Sequence, residues 1–364
     1  MIEWIAISVI GIAIFAELLL IVLWIANYKA HKSVLKEAPT VVILVAARDE
    51  EANLVECLDS LLELDYSPEK LQIWVGDDAS TDGTWEIIAR YSKEYSNING
   101  MQITKSITKG NGKANVLAQL AHHCKSDWIF ITDADIRVPK QWVNTMLAAA
   151  EKEEAVLVTG TSLVSGSAFF AKVQRLDWLY ATAMLKVISD TGTPVTTMGN
   201  NMAILRRVYE EVGGFENLHF SVTEDLELFK QVVKKHHTLN LFSEGVLNKS
   251  TPQNSVLELL IQRKRWMRGA FELPLQLLGI LLIQSFYMPA IILLIILNPM
   301  IGVSLWLIKW MLRFSFATIS AKKLAEKVSI FDSFVTELFT MAFSLASVIY
   351  YLWPGKVYWK GRAY

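Results

Sequence analysis

The sequence predicts an α/β protein, with a mostly parallel β-sheet covered by helices on both faces and with transmembrane helices at both ends of the chain. Three observations predict this fold class. Short β-branched runs alternate with amphipathic helical patterns through the middle of the chain. Long apolar runs lie near both termini. Acidic residues follow two of the predicted strands, at the edge of a parallel sheet where ligands bind.

The composition divides the chain between membrane and water. Of the 364 residues, 52% are hydrophobic and 20% are charged, which is too apolar for an ordinary soluble domain and too charged for a fully embedded protein. The formal net charge of -1 excludes the basic surface that binds nucleic acid, so nucleic acid is not an expected partner. Cys57 and Cys124 are far apart and match no Cys/His spacing, which excludes a disulfide framework or a zinc site.

The N-terminal segment, residues 1–30, is predicted to be a membrane anchor. The run from Trp4 to Ala26 contains one charge, Glu17, and is long enough to cross a hydrocarbon core of roughly 30 Å as a helix. Glu3 precedes the run and lysines follow it, the reverse of the charge order in a cleavable signal peptide. By the positive-inside rule, the chain after this anchor enters the cytoplasm, which predicts a protein of the cell (inner) membrane.

A second membrane region is predicted at residues 273–353. Its first apolar run, Leu273 to Trp310, is too long for one span and about right for two, with a turn at Asn298 and Pro299. Basic residues follow this run, so the chain is expected to have returned to the cytoplasm.

The last apolar run, Phe331 to Trp353, is long enough to cross but contains Asp332 and Glu337. The basic tail at 354–364 follows it, and a crossing helix would put this tail outside, against the positive-inside rule. We therefore expect a shallow or re-entrant helix here, in a multi-pass protein.

The segment between the anchors, residues 38–271, is large enough for one cytoplasmic domain with its own core. Strands are predicted at Thr40–Val45, Leu71–Val75, Ile98–Ile103, Trp128–Thr132 and Val156–Thr159. Helices are predicted at Ala52–Leu64, Trp85–Tyr95, Lys113–Cys124 and Gln141–Ala150. Strands and helices in regular alternation indicate a parallel sheet covered on both faces.

Carboxylates stand at the ends of two of these strands. Asp77 and Asp78 follow the second strand, where the donors of a nucleotide's base and ribose would lie, and turn formation explains only the residues after them. Asp133 and Asp135 form a D-x-D after the fourth strand. Such a loop suits Mg²⁺ or Mn²⁺, which binds one or two carboxylates and completes its shell with water and phosphates. Alone, a D-x-D is more often a solvated turn, but two acidic strand ends in one sheet favour a metal site.

Three further motifs each have a structural alternative. Lys109 to Lys113 opens a helix and suits an anion, although a solvated turn is nearly as probable. Thr223-Glu224-Asp225 stands at a helix start, where helix capping alone could explain it. Gln262 to Trp266 precedes the membrane region, where basic residues also serve as lipid-facing anchors.

Taken in order, these motifs resemble the processive-type branch of the family 2 glycosyltransferases, which includes ceramide glucosyltransferases, polysaccharide synthases and bacterial lipid glycosyltransferases. The matching segments are Ala47-Arg48-Asp49-Glu50-Glu51, Asp77-Asp78, Lys109 to Lys113, Asp133 and Asp135, Gly199-Asn200-Asn201, Asp225 in T-E-D, Gln262, Arg265 and Trp266 in Q-x-x-R-W, and Trp359 to Arg362. Asp49 departs from the family's usual asparagine. The resemblance covers nearly the whole chain.

The resemblance implies a GT-A fold and transfer of a sugar, with inversion, from a nucleoside diphosphate donor in which uridine is the expected base. It implies a divalent metal at Asp135 with Asp133 beside it, and a catalytic pair of Asp225, the base, and Glu224. Lys113 and Arg265 are then expected to steady the diphosphate, and Trp266 to contact the acceptor or close the site. The donor-binding set that the resemblance implies is Asp49, Asp77, Asp78, Lys113, Asp133, Gln262, Arg265 and Trp266.

The leading functional hypothesis is single transfer to a lipid or other membrane-borne acceptor at the cytoplasmic face. A polysaccharide synthase needs a polar channel lined by protein, and two or three C-terminal segments are too few to build one in a monomer. The alternatives are a polymerising enzyme completed by oligomers or a partner, and a non-catalytic membrane scaffold or nucleotide-sugar sensor. The sequence predicts no oligomeric state.

Overall fold

A computed structural model describes residues 1–109, 111–218, 221, 223–270, 275–353, 358–359 and 362–363. The helices are α1 Ile2–Asn27, α2 Leu54–Leu62, α3 Thr84–Glu94, α4 Gly112–His122, α5 Trp142–Glu153, α6 Phe169–Asp190, α7 Arg206–Glu211, α8 Glu224–Val232, α9 Val256–Ala270, α10 Leu275–Leu297, α11 Pro299–Ala321 and α12 Ile330–Leu352. The strands are β1 Val41–Ala47, β2 Leu71–Asp77, β3 Ile98–Gln102, β4 Trp128–Asp133, β5 Ile136–Arg137, β6 Leu157–Thr159, β7 Thr161–Val164, β8 Met202–Leu205, β9 Thr238–Asn240, β10 Leu247–Ser250, β11 Tyr358–Trp359 and β12 Arg362–Ala363.

The chain forms two compact units. The sheet unit comprises Ala30–Leu163, Thr196–Thr251 and Tyr358–Tyr364, and the helical unit comprises Met1–Lys29, Val164–Val195 and Pro252–Val357. The boundary between the predicted domains 38–271 and 273–353 lies outside the described residues. Lys360 and Gly361 of the predicted tail motif also lie outside them. The division into domains stays a prediction.

The sheet unit contains a seven-stranded sheet of order β3-β2-β1-β4-β8-β6-β9. Strand β8 runs antiparallel to β4 and β6, whereas the pairs of β1 with β2 and β4, of β2 with β3 and of β6 with β9 are parallel. A second sheet has the order β5-β10-β7. The mostly parallel sheet is thus confirmed, and every predicted strand and helix forms with ends shifted by a few residues.

Successive side chains of β1 point to opposite faces of the sheet and so build two cores. Val41, Ile43 and Val45 pack in one core, which α2, α3 and α5 also supply. Val42 and Leu44 pack in the other, with side chains of α4 and α8. This burial on both faces explains why the strand reads as a continuous apolar run, and it confirms helices on both faces.

The helical unit contains the apolar helices. Within the part of the chain that the structure describes, three are long and apolar enough to cross a membrane, Ile2–Asn27, Pro299–Leu324 and Ile330–Leu352. The predicted turn lies where expected, because α10 ends before Asn298, whose side chain accepts a hydrogen bond of 3.3 Å from the Ile301 amide, and Pro299 begins α11.

Helix α12 is one unbroken helix of 23 residues that is long and apolar enough to cross a membrane, and its shallow or re-entrant position stays a prediction. Its two acidic side chains, which suggested a shallow position, have partners within the unit. Asp332 lies 3.3 Å from the Lys172 ammonium, and Glu337 accepts a hydrogen bond of 3.1 Å from Arg313. Paired charges are compatible with a membrane-spanning helix. The two acidic residues lower the mean hydropathy of α12, but this does not argue against α12 crossing the membrane.

Four charged side chains of the apolar helices form a buried ion cluster, Glu17, Lys309, Arg313 and Glu337. Glu17 is 1% and Lys309 0% exposed. The Lys309 Nζ atom lies 3.4 Å from a Glu17 oxygen and 3.9 Å from a Glu337 oxygen, and the Tyr180 hydroxyl donates to Glu17 over 2.9 Å. Charges within a membrane region usually face the bundle interior and pair in this way. Glu17 therefore connects α1 to α6 and α11, which a simple anchor would not do.

We expect Glu17→Gln to lower the stability of the folded protein by about 3 kcal/mol, because removing one partner leaves the Lys309 charge poorly compensated. The measurement is thermal unfolding of the full chain in detergent micelles. The matched control is Glu3→Gln at the start of the same helix. The double variant Glu17→Gln/Lys309→Met should lose less stability than Glu17→Gln alone, because it removes both charges. Equal losses in Glu17→Gln and Glu3→Gln would contradict the cluster's role.

Candidate active site

The parallel register brings the carboxyl ends of β1, β2 and β4 side by side. Ala47 pairs with Asp77, and Ala46 pairs with Asp133. Asp77 and Asp78 are both buried, and a carboxylate oxygen of Asp77 accepts a hydrogen bond of 3.2 Å from the Ser80 amide. The backbone amide of Asp78 donates to the Ala47 carbonyl over 2.8 Å. The two acidic strand ends that the sequence singled out thus lie at the same edge of the sheet, on either side of β1.

Asp49 forms the turn after β1 in the left-handed backbone region, with φ of 51°. Its carboxylate accepts a hydrogen bond of 2.8 Å from the Thr81 amide, and its own amide donates one of 3.0 Å to the Ser80 hydroxyl oxygen. Asparagine and aspartate are the non-glycine residues that best tolerate this region. Aspartate can therefore take the place of the family's asparagine here without added backbone strain. Through its hydrogen bonds, Asp49 links the turn after β1 to the loop after β2.

The D-x-D loop holds closely spaced negative charge. Burial, together with the charges of Asp133 and Glu50, raises the pKa of Asp135 to about 7. The Ser250 hydroxyl donates to Asp135 over 3.2 Å. Glu50 had no predicted role, although it stands in the A-R-D-E-E segment of the resemblance.

The loop suits a cation that shares its ligands with a substrate. Among the described residues, no group of three or more acidic, histidine or cysteine side chains is placed to hold a metal ion by itself. Mg²⁺ and Mn²⁺ characteristically use one or two carboxylates and take their remaining oxygens from water and phosphates. A cation at Asp133 and Asp135 would also offset the repulsion that raises the pKa of Asp135, so the donor set fits such an ion.

Lys113, at the start of α4, connects the D-x-D loop to α8. Its ammonium forms an ion pair with Asp133, lies 3.4 Å from a Glu224 oxygen and donates to the Gly199 carbonyl over 3.2 Å. Burial alone would lower the pKa of Lys113, but the carboxylates of Asp133, Glu224 and Asp225 raise it above its ordinary value. The ammonium therefore keeps its charge, as a diphosphate contact requires.

Asn111 is a functional residue that sequence reasoning missed. Its side-chain oxygen caps α4 by accepting a hydrogen bond of 2.8 Å from the Ala114 amide, and its side-chain nitrogen donates to Glu224 over 2.7 Å. Glu224 is thus held by Asn111 and Lys113 together. An asparagine at the helix start in Lys109 to Lys113 was the available signal. Gly110 of this segment lies outside the described residues.

Asp225 is held by two backbone amides. One carboxylate oxygen accepts a hydrogen bond of 2.6 Å from Gly199, and the other accepts one of 2.9 Å from Leu226. Burial and the neighbouring charge of Glu224 raise the pKa of Asp225 to about 6, against the opposing effect of Lys113. The capping alternative does not describe this arrangement, because Thr223 makes no side-chain cap and Asp225 accepts from a distant turn.

The Gly199-Asn200-Asn201 turn supports this carboxylate. A side chain at Gly199 would bring its Cβ within 3.0 to 3.2 Å of the Asp225 side chain, so glycine permits the close approach. Asn201 is fully buried and serves the core, since it donates to the carbonyls of Thr161 and Val246 over 2.8 and 2.9 Å. The backbone of Gly199 thus donates a hydrogen bond to Asp225 through its amide and accepts one from Lys113 through its carbonyl oxygen.

Gln262, Arg265 and Trp266 lie on α9, in the helical unit. The two basic residues between Gln262 and Arg265 have partners within the helical unit. Arg263 forms an ion pair with Asp177, and the buried Lys264 ammonium donates to the Trp353 carbonyl over 2.8 Å. The other predicted site residues lie in the sheet unit.

The model of glycosyl transferase family 21 matches residues 4–364. The chain belongs to this family. The resemblance to ceramide-glucosyltransferase-like enzymes is thereby confirmed.

The family 21 chain is 28% identical over 251 residues to a probable glycosyltransferase, YdaM, of Bacillus subtilis, covering 67% of this chain and 58% of that protein. It is 25% identical over 245 residues to a beta-monoglucosyldiacylglycerol synthase of Nostoc, covering 66% of this chain and 51% of that protein. The chain thus spans a little over half the length of these relatives.

A solved structure shares the fold of this family 21 chain. The mannosyltransferase PcManGT of Pyrobaculum calidifontis, in complex with GDP-Man and Mn²⁺, has a TM-score of 0.62 and 19% identity, with 97% of this chain and 99% of that chain covered. The GT-A fold that the motif order implied is confirmed.

Proposed function

We propose that this family 21 chain transfers a sugar, with inversion, from a nucleoside diphosphate donor to a hydroxyl group of a membrane lipid. The observation that carries the proposal is the connected set of Asp133, Lys113, Glu224 and Asp225. It joins a loop suited to a metal and a diphosphate with a carboxylate whose pKa of about 6 suits a general base near neutral pH.

On the donor side, Asp77 and Asp78 accept hydrogen bonds from the base and ribose of the nucleotide, with uridine as the proposed base. Both are buried at the strand ends, where nucleotides bind in open parallel sheets. A divalent cation, Mg²⁺ or Mn²⁺, held by Asp135 and Asp133 supplies charge stabilisation for the departing diphosphate. Lys113, charged and adjacent to Asp133, contacts the diphosphate, and we assign Arg265 of α9 the same task.

On the acceptor side, Asp225 takes the proton of the attacking hydroxyl. The hydrogen bonds from Gly199 and Leu226 hold both of its oxygens in a defined orientation, so the carboxylate does not need to reorganise before proton transfer. The hydroxyl attacks the anomeric carbon on the face opposite to the diphosphate, the bond to the diphosphate breaks, and the configuration inverts. Glu224 positions Lys113 beside this carboxylate rather than reacting itself.

The acceptor is proposed to be a lipid because of the helical unit and the relatives. The described part of the helical unit contains three helices long and apolar enough to cross a membrane, and relatives at 25% identity are named as monoglucosyldiacylglycerol synthases. In this proposal residues 38–271 form a cytoplasmic catalytic domain, 1–30 and 273–353 hold it to the inner membrane, and 354–364 form a basic tail. Diacylglycerol is the first acceptor to test.

The test supplies the full chain, reconstituted in phospholipid vesicles that contain dioleoylglycerol, with UDP-glucose and Mn²⁺, and analyses lipids by mass spectrometry. We expect a product one hexose heavier than the acceptor, formed with inverted configuration. GDP-mannose in a parallel reaction tests the choice of base. A ladder of products would favour a polymerising enzyme, and donor binding without any transfer or hydrolysis would favour a nucleotide-sugar sensor.

A further inference from the structure

Helix α6 holds α9 by three contacts, although no sequence motif marks α6. The side-chain amide of Gln174 exchanges two hydrogen bonds, of 2.9 and 3.0 Å, with the backbone of Gln253 just before α9. Asp177 forms an ion pair with Arg263. The rings of Trp178 and Trp266 lie with centroids 5.5 Å apart and planes tilted by 59°.

Trp266 is therefore held from two sides. The Arg263 guanidinium carbon lies 5.0 Å from the centre of the Trp266 ring, where a cation interacts favourably with the indole face. Asp177 fixes this guanidinium through the ion pair, and Trp178, which is 8% exposed, supplies the aromatic contact. We name Asp177, Trp178 and Arg263 the Trp266 cradle.

Two cradle residues, Trp178 and Arg263, and the α9 residue Gln262 also carry polar atoms that lack hydrogen-bond partners among the described residues. They are the buried Nε1 of Trp178, the buried Nε of Arg263 and the buried Oε1 of Gln262. The first two donate hydrogen bonds and the third accepts one. Buried polar groups are normally paired, so these atoms call for a partner of matching chemistry. Water molecules and hydroxyl groups, which both donate and accept hydrogen bonds, have that chemistry.

We propose that Asp177 and Trp178 are positioning residues for Trp266, and that through it they set the affinity for the hydroxylated head of the lipid acceptor. The inference rests on the proposed function and on the expectation, from the family resemblance, that Trp266 contacts the acceptor. An indole that turns about two side-chain bonds has several orientations open to it, and the cradle restricts them to one. Neither Asp177 nor Trp178 contacts the donor in this proposal, so donor affinity does not depend on them.

The test compares Trp178→Ala, Trp178→Phe and Asp177→Asn with a matched control, Phe170→Ala. Phe170 also lies on α6, but its ring contacts Phe339 of α12, with ring centroids 5.9 Å apart. With the full chain in vesicles, dioleoylglycerol as acceptor and UDP-glucose as donor, Trp178→Ala should raise the acceptor KM about tenfold, the effect of losing roughly one aromatic pair. Asp177→Asn should raise it to a smaller extent.

The donor KM should stay unchanged in these variants, and Trp178→Phe should recover most of the acceptor affinity because it keeps an aromatic ring. If Trp178→Ala and Phe170→Ala alter kcat and both KM values alike, α6 only packs and the proposal is wrong. It is also wrong if the acceptor KM of Trp178→Ala equals that of the unaltered chain.

A second measurement needs no turnover and separates this proposal from the proposed function. Bound acceptor stabilises the folded chain, so dioleoylglycerol in detergent micelles should raise the Tm of the unaltered chain, of Trp178→Phe and of Phe170→Ala. It should raise the Tm of Trp178→Ala much less. This pattern without sugar transfer would contradict the proposed function and support the cradle. Equal Tm increases in all variants, or none in any, would contradict the cradle.

Discussion

Asp225→Asn should lower the rate of sugar transfer by roughly 10² to 10⁴-fold, the usual contribution of a general base, while donor binding survives. The amide keeps the shape of the side chain but cannot take the acceptor's proton. Donor binding is expected to persist because Asp77, Asp78 and the D-x-D loop are unchanged. We also expect the variant to stay folded at neutral pH. The pKa of Asp225 is raised to about 6 in the folded protein, so this carboxyl group lowers the stability of the fold as the pH rises from the ordinary carboxyl pKa to about 6. An asparagine does not ionise and therefore does not have this effect at neutral pH.

The matched control is Glu227→Gln on the same helix, where the carboxylate lies 3.3 Å from the Lys230 ammonium. This variant should transfer sugar near the normal rate. The pH profile provides a second check, because a base must be deprotonated to act. With the pKa of Asp225 raised to about 6, kcat/KM of the unaltered chain should fall tenfold per pH unit well below pH 6. Transfer by Asp225→Asn within a few-fold of normal, at saturating donor and acceptor, would remove Asp225 as the base.

Asp135→Ala and removal of divalent cations should each reduce transfer by roughly 10²-fold or more, since a cation at a departing diphosphate contributes several kcal/mol. A chelator should abolish activity in the unaltered chain, and added Mn²⁺ or Mg²⁺ should restore it. Cation affinity should also weaken as the pH falls below 7, because the pKa of Asp135 is raised to about 7 and a protonated carboxyl group is a poor ligand.

The control for the metal experiment is Asp82→Asn, in the loop after β2. Asp82 accepts hydrogen bonds from Thr84 and from the Glu51 amide, which lower its pKa despite partial burial, so its role is to hold a turn. This variant should lose some stability but keep the normal response to chelator and cation. Full activity of the unaltered chain in chelator would show that the D-x-D is only a turn.

Local pattern was sufficient for five strands of the seven-stranded sheet, β1, β2, β3, β4 and β6, whereas β8 and β9 were not predicted. The strands could be predicted because β-branched runs such as Val41–Ala47 are short, apolar and bounded by turn residues. Once the sheet was expected to be parallel, Asp77 and Asp133 had to lie at one edge, since the strands of such a sheet end on the same side. The turn at Asn298 and Pro299 followed from length and from the chemistry of proline.

The connections around the candidate base required the folded chain. Lys113 was expected to meet a diphosphate, but its contacts with both Asp133 and Glu224 depend on three segments that are distant in sequence. Asn111 donates one hydrogen bond to Glu224, and Gly199 donates one to Asp225. A single hydrogen bond between distant residues produces no periodic pattern that could be recognised in the sequence.

By itself, then, the sequence determined five strands of the main sheet, the positions of its acidic strand ends and the apolar helices, because each depends on residues close together in the chain. Only the tertiary structure decided that Glu17 pairs with Lys309, that Glu337 pairs inside an unbroken α12, and that Trp178 meets Trp266. Hydropathy assigns a cost to each charge in an apolar helix but does not identify the partner that offsets it. Such partners come from other helices, and they exist only after the chain has packed.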